Sequence, residues 1–265
     1  MGRLTDAVKH LLIINVLFFV ATLLYQGQMD QWFSLWYFKN ESFGWWQVIT
    51  HMFMHGGFMH ILFNMYGLWA FGSPLEQMWG RNKFFFFYFS AGLGAALCHT
   101  GFNFYFVYEG FQTVKDWLPK EIYYEVLGVN SRVGNHLSGQ LFFENAIKVL
   151  DSHGITSQIS NADANTLFDA HAYFNSRAVG ASGAVYGILV AFAFMYRNAE
   201  LMLIFLPVPI KAKYFVPVLI LIDLFFGFSS INTGIAHFAH IGGALTGFIM
   251  MWYWKKNQFN QNRWD

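Results

Sequence analysis

Three stretches of this sequence hold residue types that chemistry needs, at spacings that let them act together. Ser182 stands in Gly180-Ala181-Ser182-Gly183-Ala184-Val185-Tyr186-Gly187, a hydroxyl among small residues at the start of an apolar run. A serine in such a run ordinarily bonds back to its own helix, so it becomes a nucleophile only beside a base and a site that stabilises an oxyanion. Candidate bases lie in Ala236-His237-Phe238-Ala239-His240-Ile241-Gly242-Gly243, and candidate donors in His51-Met52-Phe53-Met54-His55-Gly56-Gly57-Phe58-Met59-His60-Ile61-Leu62-Phe63-Asn64. His60 and Asn64 are four apart, so a helix places them on one face, where both can donate in one direction.

The elements that must position these groups follow from composition. Of 265 residues, 55% are hydrophobic and only 12% charged, against roughly 25% charged in soluble domains, which is a membrane composition. The net charge of +1 and the scattered Lys and Arg argue against a nucleic-acid partner, and the single Cys98 cannot form an internal disulfide. A span of the bilayer takes roughly 20 helical residues, and six segments reach or approach that length, near 9–26, 57–79, 83–107, 180–197, 212–229 and 235–254. The first follows Arg3 and Lys9 as a secretory signal would. Its end, Leu23-Leu24-Tyr25-Gln26-Gly27, lacks a small-residue cleavage site, so it is expected to be retained as a span.

Charge orients the spans. With the amino terminus inside, the inner segments collect Arg3, Lys9, Arg81, Lys83, Arg197, Lys211, Lys213, Lys255, Lys256 and Arg263, whereas 26–46 holds only Lys39, so both termini are expected in the cytoplasm. The stretch 29–46, with Trp32, Phe33, Trp36, Tyr37, Trp45 and Trp46, is expected to lie in the outer leaflet. Between the third and fourth spans, 109–177 is a polar, extracytoplasmic insertion within a single membrane domain. Two or three short amphipathic helices are predicted there, starting near Pro119 and Ser138, with 157–161 as loop. The fold class predicted is therefore all-α and polytopic.

Glycines then decide which spans touch. Gly183 and Gly187 follow Ser182, and Gly243 and Gly247 follow His240, so each helix has a face on which backbones can approach. The fourth and sixth spans run in the same sense, which puts Ser182 and His240 at similar depth near the outer ends of their helices. That is the minimum nucleophile and base.

Other readings of the same residues are plainer. His51, His55 and His60 have no H-E-x-x-H pattern or neighbouring carboxylate, so neither a metal nor another cofactor is expected. His237 reads as a rim residue, Asp223 as an acid in a structural hydrogen bond or facing an outward cavity rather than a third catalytic member, and His136, His153 and His171 as solvated residues of the insertion. The run 84–87 reads as bulk. The soluble hydrolase elbow needs glycine two residues after its serine, where Ala184 stands, and a strand before it.

Taken together, Gly180-Ala181-Ser182-Gly183 with Tyr186, His55 to His60 to Asn64, Ala239-His240 with Gly243 and Gly247, and Glu76 to Gly80 to Phe84 resemble the signature of the rhomboid intramembrane serine proteases of bacterial type. The resemblance covers the six-span core and implies an endopeptidase of the plasma (inner) membrane that cleaves single-span membrane proteins within the lipid bilayer, its site opening to the extracytoplasmic side. Ser182 would be the nucleophile and His240 the general base, a dyad without a carboxylate. His60, Asn64 and the Ser182 N–H would form the oxyanion hole. Tyr186 would stack on His240, Gly183 would admit a close backbone, Gly243 belongs to the facing glycine pair, and His55 would brace the outer loop. One departure is Gln47, where the family usually has Arg after Trp46, from which a weaker tie of that loop is expected. The rival reading is an inactive rhomboid-like protein that binds membrane clients, whose relatives usually lose the serine or the histidine. A transporter is disfavoured by the lack of matching halves with paired broken helices.

Overall fold

The computed structural model describes residues 3–134, 136–155, 159–203, 206–229 and 235–257, and these are mostly helical. Arg263, Ser157 and Gln158 therefore lie outside the described residues. In chain order the first helices are α1 (Asp6–Leu24), α2 (Gln26–Phe33) and α3 (Gln47–Thr50), the last followed by one tight turn at His51–Phe53. Helix α4 (Phe58–Gly67) passes through a stretch of widened turns, Leu68–Gly72, into α5 (Ser73–Trp79). Next come α6 (Arg81–Val114), α7 (Lys120–Gly128), α8 (Gly139–Ser152), α9 (Asn161–Phe174), α10 (Ser182–Met195), α11 (Ala212–Phe228) and α12 (His237–Asn257). Among them, α1 and α6 are long and apolar enough to cross a membrane, and α10 is a shorter apolar helix.

The chain forms two compact units: Met1–Leu35 with Trp45–His99 and Ala178–Asp265, and Trp36–Gly44 with Thr100–Arg177. In the first unit, Leu11, Leu68, Leu75, Phe84, Phe87, Tyr88, Ile188 and Met251 are buried in one core. The outward faces of α1, α11 and α12 carry Leu17, Leu23, Leu221, Phe225, Ile249 and Trp252, all largely exposed, an apolar surface of the kind lipid solvates.

Glu76 shows how a distant residue starts a helix. Its carboxylate accepts from the backbone N–H of Ala7 (2.8 Å) and of Val8 (3.0 Å) and from the Thr5 hydroxyl. A helix begins with four unsatisfied N–H groups and a partial positive charge, and an anion placed there satisfies both. The turn that follows α5 uses Gly80 at φ +79, a left-handed conformation that glycine adopts without strain.

The second unit contains three short helices, with Pro119 preceding α7, the Ser138 hydroxyl capping α8 by accepting from Leu141 N–H (3.3 Å), and Ser160 with Asp163 forming a reciprocal cap on α9. Its core gathers Val107, Val114, Leu118, Tyr123, Val126 and Phe142, and the Tyr123 hydroxyl donates to the Val107 carbonyl (2.7 Å). His171, expected to be solvated, is fully buried there. Its Nδ1 is 2.8 Å from the Leu127 carbonyl and its Nε2 2.6 Å from Ser131 Oγ. Burial holds its pKa below the usual imidazole value, against the Leu127 hydrogen bond, which raises it, while the charge of Arg132 lowers it further.

The sequence suggested no strands, yet two small antiparallel strand pairs occur among the described residues. In one, β1 (Arg132–Val133) pairs with β2 (His136–Leu137); in the other, β3 (Glu200–Leu203) pairs with β4 (Leu206–Lys211), with Glu200 opposite Lys211. The first pair is two residues long on each side, too brief to give an alternating signal, and β4 carries Pro207 and Pro209, which argue against a strand in sequence.

Candidate active site

Ser182 is the first residue of α10, so its own N–H is one of those left free at a helix start. The turn before it uses Gly180 at φ +118, and a Cβ there would lie 2.7 Å from His60 Nε2. Any side chain at Gly180 would therefore displace the His60 ring or the turn. The Gly180 N–H donates to the His51 carbonyl (2.8 Å), which ties the turn to the loop before α4.

His240 lies in the first turn of α12, with Nε2 2.8 Å from Ser182 Oγ. The glycine faces make this contact possible. A Cβ on Gly243 would lie 1.9 Å from the Gly183 carbonyl oxygen, and one on Gly247 2.7 Å from Gly187 Cα. The expected meeting of α10 and α12 is thus backbone against backbone, closer than any side chain permits. Gly183 also faces α6, where its Cβ would meet Ala95 Cβ at 2.3 Å. Tyr186, one turn after Ser182, stacks on the His240 ring at 4.3 Å between centroids and 12° between planes.

Two residues set aside in the sequence reading converge on the far side of His240. Asp223, 4% exposed near the end of α11, has Oδ1 3.0 Å from His240 Nδ1 and 2.5 Å from His237 Nδ1. The Tyr186 hydroxyl interacts with the same carboxylate. His237 is buried, not on the rim, and stacks on Phe226 at 5.6 Å. An ionised carboxylate only accepts hydrogen bonds, so the His240 proton belongs on Nδ1 and leaves Nε2 to accept from Ser182. These three side chains offer ligand atoms within 4.8 Å of one another, as a metal site would. The 2.5 and 3.0 Å separations are nevertheless those of shared protons, shorter than the about 3.3 Å edge of a tetrahedral N/O set around zinc. The signal in the sequence was an acid inside an apolar helix, which is costly unless partnered.

In α4, Asn64 is buried and one of its amide N–H groups donates to the His60 carbonyl (2.8 Å). His60 is half-buried, its Nδ1 accepts from Gly56 N–H (3.3 Å), and its ring meets His55 edge-on at 5.0 Å. His55 is buried, with Nδ1 3.3 Å from the Phe53 carbonyl. Gln47 is wholly buried, and its amide donates to the carbonyls of Gln31 (3.1 Å) and Trp32 (3.3 Å). The Trp46 indole N–H also reaches Trp32 (2.6 Å), and the Thr50 hydroxyl reaches Phe33 (3.1 Å). The loop expected to be loosely tied at Gln47 is thus fastened to the end of α2, because the shorter amide supplies two donors where the guanidinium was expected.

Comparison with known proteins matches residues 42–112 and 153–257 to the Rhomboid domain family. The chain is 33% identical over 59 residues to Rhomboid protease GluP of Bacillus subtilis, covering 22% of this chain and 12% of that protein. It is 34% identical over 73 residues to Rhomboid protease GlpG of Klebsiella pneumoniae, covering 28% and 26%. Against Rhomboid protein 1, mitochondrial, of Saccharomyces cerevisiae it is 23% identical over 210 residues, covering 79% and 42%. In each case the chain spans less than half the length of the relative.

Proposed function

The chain belongs to the rhomboid family, and on that premise we propose that it is an active intramembrane serine endopeptidase using Ser182 and His240. Members of the family are integral membrane proteins and intramembrane serine proteases that act on membrane proteins in the bilayer. The observation that carries the reading is the 2.8 Å contact between His240 Nε2 and Ser182 Oγ, both side chains partly open rather than sealed.

In the proposed reaction His240 Nε2 takes the Ser182 proton as Oγ bonds to the scissile carbonyl carbon, and the carbonyl π electrons move to its oxygen. The Ser182 N–H, His60 and the second Asn64 N–H face the developing oxyanion, aided by the positive end of α10. Collapse breaks the C–N bond, with the His240 proton passing to the leaving nitrogen. A water then repeats the sequence on the acyl-enzyme and frees Ser182. Six spans with both termini cytoplasmic would open this site to the extracytoplasmic face, where water is available, while single-span substrates enter from lipid.

The test is cleavage of labelled single-span substrates by purified protein in liposomes, beside Ser182→Ala and His240→Ala. Loss in both variants is expected, with fluorophosphonate labelling of the wild type at Ser182. Cleavage that survives either substitution, or no cleavage and no labelling of the wild type, rejects the proposal, and the latter leaves a client-binding role.

A further inference from the structure

We propose that Asp223 is a positioning residue that completes a Ser182–His240–Asp223 triad, held in place by His237. This rests on the protease reading and departs from the carboxylate-free dyad that the rhomboid resemblance implies. The geometry has three parts. First, Asp223 Oδ1 lies 3.0 Å from His240 Nδ1, the ring nitrogen opposite the one that meets Ser182. Second, the carboxylate side chain is 5% exposed and the His240 side chain 12% exposed, so their attraction is little screened by water. Third, the carboxylate is itself held, by His237 Nδ1 at 2.5 Å and by Tyr186, whose ring also stacks on His240.

Each part bears on one catalytic requirement. The acceptor at Nδ1 selects the tautomer whose Nε2 can receive the Ser182 proton. When that proton arrives, the ring becomes an imidazolium beside a carboxylate that keeps its own charge and takes no proton. The second donor, His237, fixes which oxygen faces His240 and shares the charge of the carboxylate. The groups facing His240 are then Asp223 from α11, Ser182 and Tyr186 from α10, His237 from its own helix, and His60 from α4, which is near enough for the two rings to interact electrostatically. Asp223 brings the negative charge among them. A short acid placed late in α11 reaches the first turn of α12 because the two helices are consecutive and packed together.

The experiment compares wild type, Asp223→Asn, His237→Phe and Ser182→Ala in liposomes, measuring kcat, KM and the pH profile per fluorophosphonate-titrated site. Asparagine can turn an N–H towards Nδ1 and force the proton onto Nε2. A fall in kcat of about 10²- to 10⁴-fold is expected, with KM little changed. Without the carboxylate the imidazolium loses its partner, so the acid limb of kcat/KM should move about 1 to 3 units lower. His237→Phe leaves the carboxylate unshared, so its acid limb should move the other way, to higher pH, with only a few-fold loss of kcat. Opposite shifts support the triad, since a merely structural role would lower the number of active sites and leave both limbs in place. Wild-type kcat and profile in Asp223→Asn would overturn it. Should that variant not fold, an unmoved limb in His237→Phe overturns it equally. A wild type that neither cleaves nor labels at Ser182 refutes the protease reading instead, and the triad falls with it.

Discussion

Ser182 and Ser131 each place a hydroxyl against a histidine Nε2, at 2.8 Å from His240 and 2.6 Å from His171, yet their surroundings differ in every respect that matters for catalysis. Behind His240 stands the Asp223 carboxylate; behind His171 stands the neutral Leu127 carbonyl at 2.8 Å, with the Asn175 amide 3.0 Å from the same ring nitrogen. Ser182 begins α10, where free N–H groups converge, while Ser131 lies in an irregular segment before β1. Ser182 and His240 are partly open, whereas Ser131 is 2% exposed and His171 0%. A serine–histidine contact is thus a hydrogen bond like any other until water, a substrate carbonyl and a charge to balance the imidazolium can reach it. The second pair is read as a buried structural link between the segment that follows α7 and α9.

Substituting the two serines tests this contrast most strongly. Ser182→Ala is expected to lower kcat/KM by about 10³-fold or more, while Ser131→Ala should leave kcat/KM within about three-fold. Equal losses in a liposome cleavage assay would break the distinction. Next in size is the oxyanion side. His60→Ala should cost about 10²- to 10³-fold in kcat, whereas His171→Ala, which removes an equally well-bonded imidazole, should act on stability and leave kcat per titrated site unchanged.

Gly243→Ala should follow, because its Cβ would meet the Gly183 carbonyl oxygen at 1.9 Å, contact with backbone that cannot rotate away. A destabilisation of about 1 to 3 kcal/mol is expected in a detergent unfolding series, together with loss of cleavage as Ser182 and His240 separate. Gly128→Ala has open space around it and should cost little by the same measurement.

The smallest effect concerns pH. The pKa of His171 is lowered in the folded protein, mainly by burial, so the unfolded state binds its proton more readily. Stability contributed by the neutral ring is present above the unfolded value, about 6.5, and is lost as pH falls through and below it. The protection factors of backbone amides in α7 and α9, referenced to the intrinsic exchange rate at each pH, should therefore fall as the pH drops below about 6.5. His171→Gln should flatten that dependence, and an unchanged slope would show that another group carries it.

Much of the active-site side was legible because it rests on local sequence. Gly183 with Gly187 and Gly243 with Gly247 announce a close approach by their spacing, and Tyr186 falls one turn after Ser182. The helix starts at Pro119 and Ser138 were likewise visible as caps. The burial of His171 was not, since its helix mixes Asn, Asp and Thr with Ala, Leu and Phe and nothing local distinguishes a solvated imidazole from one bonded to Ser131, 40 residues earlier. Gln47 misled for a related reason. The sequence shows that arginine is replaced, but only the folded loop shows Gln31 and Trp32 carbonyls within reach of an amide.

Sequence by itself determined which segments are apolar helices, where glycine lets them touch, and which serine and histidines stand beside those glycines. Only the tertiary structure decided which way Asp223 and His237 point. A helix that is apolar nearly all round gives no face by its pattern, and each residue turns the helix by 100°, so a small change in rotation of α11 would send Asp223 to lipid instead. The widened turns at Leu68–Gly72, directly after the helix that carries His60 and Asn64, change rotation in the same unreadable way. A carboxylate 17 residues from His240 becomes its partner only once helix rotation, the packing of α11 on α12 and the buried His237 hydrogen bond are all fixed together.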